Sequence, residues 1–329
     1  MDDHSSWSSA SARRPDPSWP TVIATTVRLW FERRHGRKVS VRLVLGLTIV
    51  AVIAIAAGTT AVMTQPKPRS ATSQPASTAH PRSAPLDPRA LAAIRTAAAT
   101  RDQAAAWIAA QVTANAIVAC DPAMCVALRA GGIPGGRLVM LGTAATDPLG
   151  SDLIVATPAL RAEFGTRLTS VYAPTVIASF GAGAGRIDIR SIAPDGAAAY
   201  QAALRADQRA RTAAGRQLLR NPRISVSADA LASLSGGDVD PRLLITLAAL
   251  AARQPVRIIA FGDPSPAADP GVPLRSAQIV PTRGGASSLR SMQSFLDVQR
   301  PPFLPGRSSL IRTVLTVQYG APSPLGLLS

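Results

Sequence analysis

The stretch "SFGAGAGRIDIR", residues 179–190, sets three glycines in five positions between two apolar runs. Glycine-rich turns cradle phosphates when a helix comes directly after them, because the first amides of that helix point at the anion. Here the glycines lead instead into RIDIRSI, residues 186–192, in which apolar and polar residues alternate as they do along a strand. TVIASF, residues 175–180, precedes the glycines and also reads as a strand. Strand, glycines and strand predict a β-hairpin with Gly181, Gly183 and Gly185 in its loop, where the backbone turns at positive φ. The stretch therefore predicts neither a nucleotide site nor any other cofactor.

On either side of the hairpin, short apolar runs alternate with helical segments. Residues 116–120, 137–141, 152–156, 223–227, 256–261, 274–280 and 311–319 read as strands. Residues 89–112, 122–131, 158–164, 196–220, 241–253 and about 287–298 read as helices. Such alternation predicts an α/β fold, Rossmann-like, with a largely parallel sheet. It divides into an α/β subdomain over 89–194 and a second over 195–329, if it divides at all.

The N-terminal third is different. Residues 43–63, LVLGLTIVAVIAIAAGTTAVM, lie in a stretch that carries no charge between Arg42 and Lys67. As a helix, such a run spans roughly 30 Å, the thickness of a bilayer core. Arg28, Arg33, Arg34, Arg37, Lys38 and Arg42 precede it, opposed only by Glu32, which predicts a cytoplasmic N-terminus and an external C-terminal bulk. The alternative is a cleaved signal peptide, but its apolar core is shorter and its leader briefer than the 42 residues found here. Residues 1–42 then form a cytoplasmic segment, disordered at first and basic near the membrane. Residues 64–88 form a Pro/Ser/Thr linker that holds the next domain away from the bilayer. The expected location is the plasma membrane, single-pass.

Cys120 and Cys125 fall outside that membrane, where thiols oxidise. Cys120 ends a predicted strand, Asp121-Pro122 turns, and Cys125 enters the first turn of the next helix. A disulfide would pin this junction and stabilise it by only about 2 kcal/mol, because the loop is short. Reduced, buried thiols are the alternative.

Composition excludes more chemistry than it supplies. His4, His35 and His80 all precede the outer region, and so do both lysines, Lys38 and Lys67. That removes a histidine base, a histidine-ligated metal, a lysine nucleophile and a Walker-type loop from residues 89–329. No metal site is expected. Glu163 is the sole outer glutamate, so catalysis would fall to aspartates, Asp238 with Asp240 or Asp263 with Asp269. Beside Pro and Gly, these read better as turn residues. The formal charge of +16, from 35 basic and 19 acidic residues, is almost wholly arginine and fits a high-GC coding bias. Arg205, Arg209, Arg211, Arg216 and Arg220 on the helix over 196–220 read as a solvated face, with anionic lipid or a phosphate-bearing wall polymer as the alternative partner. Outside a cell, nucleic acid is not expected.

Residues 104–192 carry a resemblance. Trp107, Asp121, the run Ser151 to Arg161 and the run Ala178 to Arg190 occur in the order W-I/V helix, strand ending in Asp, D-Y-V-V-S-T-P-x-L-R and A-S-F-G-x-G-x-x-R-I-E-V-R. This resembles the soluble extracytoplasmic C-terminal region of polytopic glycosyltransferases that use lipid-linked sugars in high-GC Gram-positive bacteria. Those enzymes hold catalysis in many membrane helices, which have no counterpart here, and the two cysteines are not part of their pattern. The resemblance implies an envelope-glycan context, with a cell-wall polymer or an envelope glycosyltransferase as partner, and an accessory role without catalysis. Residues 222–320 bear a weaker likeness to an outer-membrane-protein-A-like peptidoglycan-binding domain. There an Asp after the central strand and an Arg in the next segment grip diaminopimelate, and Asp263 and Arg275 stand for them here. LRSAQIV reads as a strand where that family has a helix. Asp121, Asp263 and Arg275 are thus the candidate ligand-binding residues. The alternative to a binding or scaffold protein is an aspartate-dependent glycan hydrolase or transferase of the same envelope.

Overall fold

The computed structural model describes residues 87–142, 147–262 and 265–328, which lie in one compact unit spanning 82–329. The expected cytoplasmic segment, the 43–63 span and most of the linker lie outside these residues. Among the described residues no helix is long and apolar enough to cross a membrane.

The first half runs α1 (Pro88–Gln111), β1 (Val118–Cys120), α2 (Pro122–Ala130), β2 (Leu138–Met140), β3 (Leu153–Ala156), α3 (Pro158–Phe164), β4 (Thr175–Phe180) and β5 (Ile187–Ser191). The second runs α4 (Ala197–Leu219), β6 (Ile224–Val226), α5 (Ala228–Gly236), α6 (Pro241–Arg253), β7 (Val256–Gly262), β8 (Ser276–Pro281), α7 (Gly285–Asp297), β9 (Arg307–Ile311) and β10 (Val314–Gln318). Each half carries one five-stranded sheet, ordered β2-β1-β3-β5-β4 and β6-β7-β8-β10-β9.

Both sheets are mixed, which corrects the expected Rossmann-like, largely parallel sheet. In the first, β1 runs parallel to β2 and β3, while β5 runs antiparallel to β3 and β4. The glycine turn is too short for a crossover, so β4 and β5 must return side by side. In the second, only β6 and β7 are parallel. Helix α7 does supply a crossover after β8, but the chain goes on to β9 and turns straight back, and β10 takes the slot between β8 and β9. The run 311–319, expected as one strand, is thus broken into a hairpin at Arg312, whose φ is 55°.

Helix starts obey local chemistry. Asp87, Asp121, Thr157 and Asp240 each accept a backbone N–H of the helix they open, and a proline comes after each of them. A side-chain acceptor satisfies a donor left free at a helix start, and proline fits the first position because its missing N–H would have no partner there. The Asp-Pro pairs at 121–122 and 240–241, read from sequence as turns, are helix caps.

The first sheet is covered on both faces. Val118, Cys120, Leu153, Val155, Ile187 and Ile189 meet Trp107 and Ile108 of α1 and Met124 and Leu128 of α2. Ala119, Ile154 and Ala156 point the other way, onto Leu160, Phe164, Leu168 and Tyr172. Strands buried on both faces read as unbroken apolar runs, and β1 and β3 do. The second sheet packs Val256, Ile258, Ala277, Ile279, Leu315 and Val317 on helices α4 to α7 and turns Arg257 and Gln278 outward to solvent.

Candidate functional site

The disulfide between Cys120 and Cys125 is present, with the two Cα atoms 5.4 Å apart. It joins the end of β1 to the first turn of α2. Between its halves, Asp121 accepts the Met124 N–H at 2.8 Å and the hydroxyl of Thr157, the residue that caps α3. Asp121 therefore ties two helix starts together at the carboxyl ends of the adjacent parallel strands β1 and β3. Open α/β sheets often bind ligands at such a place. Here the carboxylate is buried and its oxygens are taken up by the frame.

The glycine loop is framed in the same way. Gly181 and Gly183 have φ of 70° and 57°, whereas Gly185 does not adopt positive φ. Arg161, on α3, donates to the carbonyls of Ala184 and Arg186. A phosphate cradle gathers N–H groups, but this loop offers carbonyls to a cation. Asp188, fully buried on β5, accepts Ser179 Oγ at 2.6 Å and pairs with Arg186 at 2.9 Å.

Arg275 is almost wholly buried. It donates to Ser265 Oγ at 2.7 Å and places its guanidinium 5.7 Å from the centre of the Trp107 ring. Asp263 lies outside the described residues. Arg275 lines a cavity of about 30 Å³ with Thr175, Ser191, Tyr200, Asp207 and Arg211, and Asp121 is not among its lining residues. This is room for one or two water molecules. Residues from β4, β5, α4, the segment before β8 and the C-terminal tail meet there.

Two buried aspartate–arginine pairs meet the C-terminal tail, and one of them lines the cavity. On α4, Asp207 and Arg211 meet at 2.7 Å, and Arg211 also donates to the Gly237 carbonyl. Arg211, expected on a solvated face, is buried because it lies on the side of α4 that packs against α5 and the turn after it. At the start of α6, Arg242 grips Asp240 with two bonds of 2.9 and 2.7 Å, and its guanidinium lies 5.0 Å from the centre of the Tyr319 ring. The C-terminal tail closes over both pairs. Gly326 N–H donates to Asp207, Ser323 Oγ to Asp240, and Arg242 to the Gly320 carbonyl. The same tail reaches the first half, where Ala321 exchanges backbone bonds with Gln111 and Thr113.

These surroundings set the charges. Burial pushes the Asp207 carboxyl above its ordinary range, only partly offset by Arg211 and the Gly326 amide. Burial would raise Asp240 as well, but Arg242, Ser323 and the Arg242 N–H together hold it below that range. Burial raises the Tyr200 phenol and pushes Tyr319 up to about 12, so both stay neutral near pH 7.

Among the described residues, Asp207 is the one carboxylate that lines the cavity. Glycoside hydrolysis by paired carboxyls needs two of them facing one substrate, roughly 5 to 9.5 Å apart. Asp238 is exposed whereas Asp240 is fully buried, so that pair shares no open space. Asp269 spends an oxygen on the Val176 N–H at 2.7 Å. Among the described residues no group of three or more His, Cys, Asp and Glu side chains could hold a metal ion. The cavity wall carries two guanidinium groups, one carboxylate and hydroxyls, and Arg211 and Arg275 are themselves bonded, to Asp207 and the Gly237 carbonyl and to Ser265.

Sequence reasoning missed the tail latch, because nothing local in GAPSPLG announces which residues it will meet. It also missed α5, although Ser227 before it and Gly237 after it are a usable start and stop signal: Ser227 accepts the Ala230 N–H, and Gly237 is left-handed. No family model matches the chain, and neither does any curated protein or solved structure.

Proposed function

We propose that this chain is a single-pass protein of the plasma membrane whose C-terminal α/β domain binds or scaffolds, without catalysis, during cell-envelope glycan assembly. The observation that carries the non-catalytic part is Asp207, the carboxylate on the cavity wall, which is already paired with Arg211 at 2.7 Å and bonded by Gly326. A general acid or nucleophile needs a carboxyl that reaches the substrate. The membrane part rests on the apolar run 43–63 and its basic flank. The envelope-glycan part rests on the resemblance of residues 104–192.

The test is to incubate the full-length chain with purified envelope glycans and follow both retention and polymer length. Retention with unchanged length is the expected result. Shortening or extension of the polymer that disappears in Asp207→Asn overturns the reading and makes the cavity an active site. A reporter fused after Ser329 should be active only outside the membrane.

A further inference from the structure

Helix α4 carries its arginines on two opposite sides. At 100° per residue, Asp207, Arg211, Gly215 and Leu218 fall on one side, and all four are buried. Arg205, Arg209, Arg216 and Arg220 fall within about 60° of one another on the other side, and all four are exposed. From Arg205 to Arg220 the stripe is about 22 Å long. Exposed Ala202, Ala206 and Ala213 lie between and beside the arginines, so no bulky side chain stands above them. Arg223, also exposed, comes just after the helix. Among the described residues, none of the four has an ion-pair partner within 4 Å. The exposed acids of the neighbouring helix α5 and its end, Asp229 and Asp238, do not reach them. Burial of Arg211 matters here, because the helical period sets it apart from the other four arginines but does not say which side of the helix is buried.

We propose that this stripe is the surface by which the domain lies on an anionic bilayer. The occupant is set by shape and charge. A single exposed helix face is convex and fits a flat sheet of phosphates. It offers no groove to enclose a polymer strand, and the cavity lies elsewhere. The inference rests on the proposed membrane anchor in one respect. If residues 43–63 anchor the chain, the linker over 64–88 tethers the start of α1, and with it the whole domain, to the bilayer. An effective concentration near the millimolar range then lets a weak contact stay occupied. Each arginine near an anionic surface favours binding roughly fivefold, and added salt screens the attraction.

The experiment uses the full-length chain with a donor dye on Ala213→Cys, beside the stripe. It is reconstituted from detergent with vesicles of phosphatidylcholine alone, or of phosphatidylcholine with phosphatidylglycerol, each bearing an acceptor on the headgroups. Energy transfer should be higher with the anionic vesicles and fall to the neutral level when salt is raised. The fourfold variant R205Q/R209Q/R216Q/R220Q should lose the difference, while the corresponding fourfold lysine variant keeps it. Both variants should melt with the parent, since the four side chains form no ion pair with the described residues. Equal transfer to both vesicles by a chain bound to both overturns the stripe and leaves the anchor standing. Binding to anionic vesicles alone, reversed by salt and lost in the glutamine variant, upholds the stripe and removes the anchor. Binding to neither removes both. Capture of soluble polyphosphate by the four arginines without any response to lipid makes the occupant a polymer and overturns the proposal.

Discussion

Gly215 sits in the middle of α4, buried against α5, and Gly215→Ala pits two effects against each other. Alanine is favoured over glycine inside a helix by about 1 kcal/mol, so propensity alone predicts a gain in stability. Packing predicts a loss. A Cβ built at Gly215 would lie 2.9 Å from the carbonyl carbon of Leu234 and 3.3 Å from its Cα, with the carbonyl oxygen nearer still. These are backbone atoms in the last turns of α5, so no change of rotamer can clear them. Leu234 is itself fully buried in the second core, so α5 cannot shift without disturbing that core. Overpacking costs roughly 1 to 3 kcal/mol, and a backbone obstacle belongs at the upper end. The packing loss outweighs the propensity gain, for a net destabilisation of about 2 kcal/mol. In a unit of this size that lowers the melting temperature by roughly 4 to 8 °C. Urea unfolding monitored by far-ultraviolet circular dichroism gives the free energy directly. Ala213→Gly, on the exposed side of the same helix, calibrates the propensity and should cost about 1 kcal/mol. If Gly215→Ala is as stable as the parent or more so, the close approach of α4 and α5 is wrong.

The disulfide closes a short loop, so Cys125→Ser should cost only about 2 kcal/mol and leave a folded domain. Mass spectrometry of the unreduced chain should show no alkylatable thiol in the parent, and a free pair in secreted protein refutes the bridge. Acid stability should turn on Asp240. Its folded-state carboxyl is held below the unfolded value of about 3.9, so its contribution is present above that pH and is lost as the pH falls through the folded value. Asp240→Asn should therefore cost about 3 kcal/mol at pH 7, because Arg242 loses its buried partner, and the deficit should shrink below pH 4. Parallel stability curves for parent and variant from pH 7 down to pH 3 contradict this. Asp207 runs the other way. Its carboxyl is raised in the fold, so its contribution is complete below about pH 3.9 and is lost as the pH rises through the folded value. Stability of the parent relative to Asp207→Asn should thus decline over that interval.

The features legible in the sequence are those that a few neighbouring residues decide. TVIASF and PALRAEF occupy a strand and a helix with the same ends in the structure, because a short β-branched apolar run and an N-terminal Thr-Pro act over a few neighbouring residues. The cystine comes from five residues of spacing and a strand-to-helix junction. The hairpin around the glycines comes from the alternating run directly after them. Tertiary structure decided the rest. The place of β10 between β8 and β9 depends on pairing rows of backbone groups that no local pattern encodes. Arg211 and Arg209 are the same residue type two positions apart, yet one is buried against Asp207 and the other faces solvent, because only one of them lies on the side of α4 that packs against α5 and the turn after it. Asp121 and Asp240 looked alike in sequence, each an aspartate before proline. One is held by a threonine 36 residues away, the other by an arginine two residues away and a serine 83 residues away. Partners so distant are chosen by how the halves and the tail pack, which costs chain entropy to arrange and leaves no mark on the residues nearby.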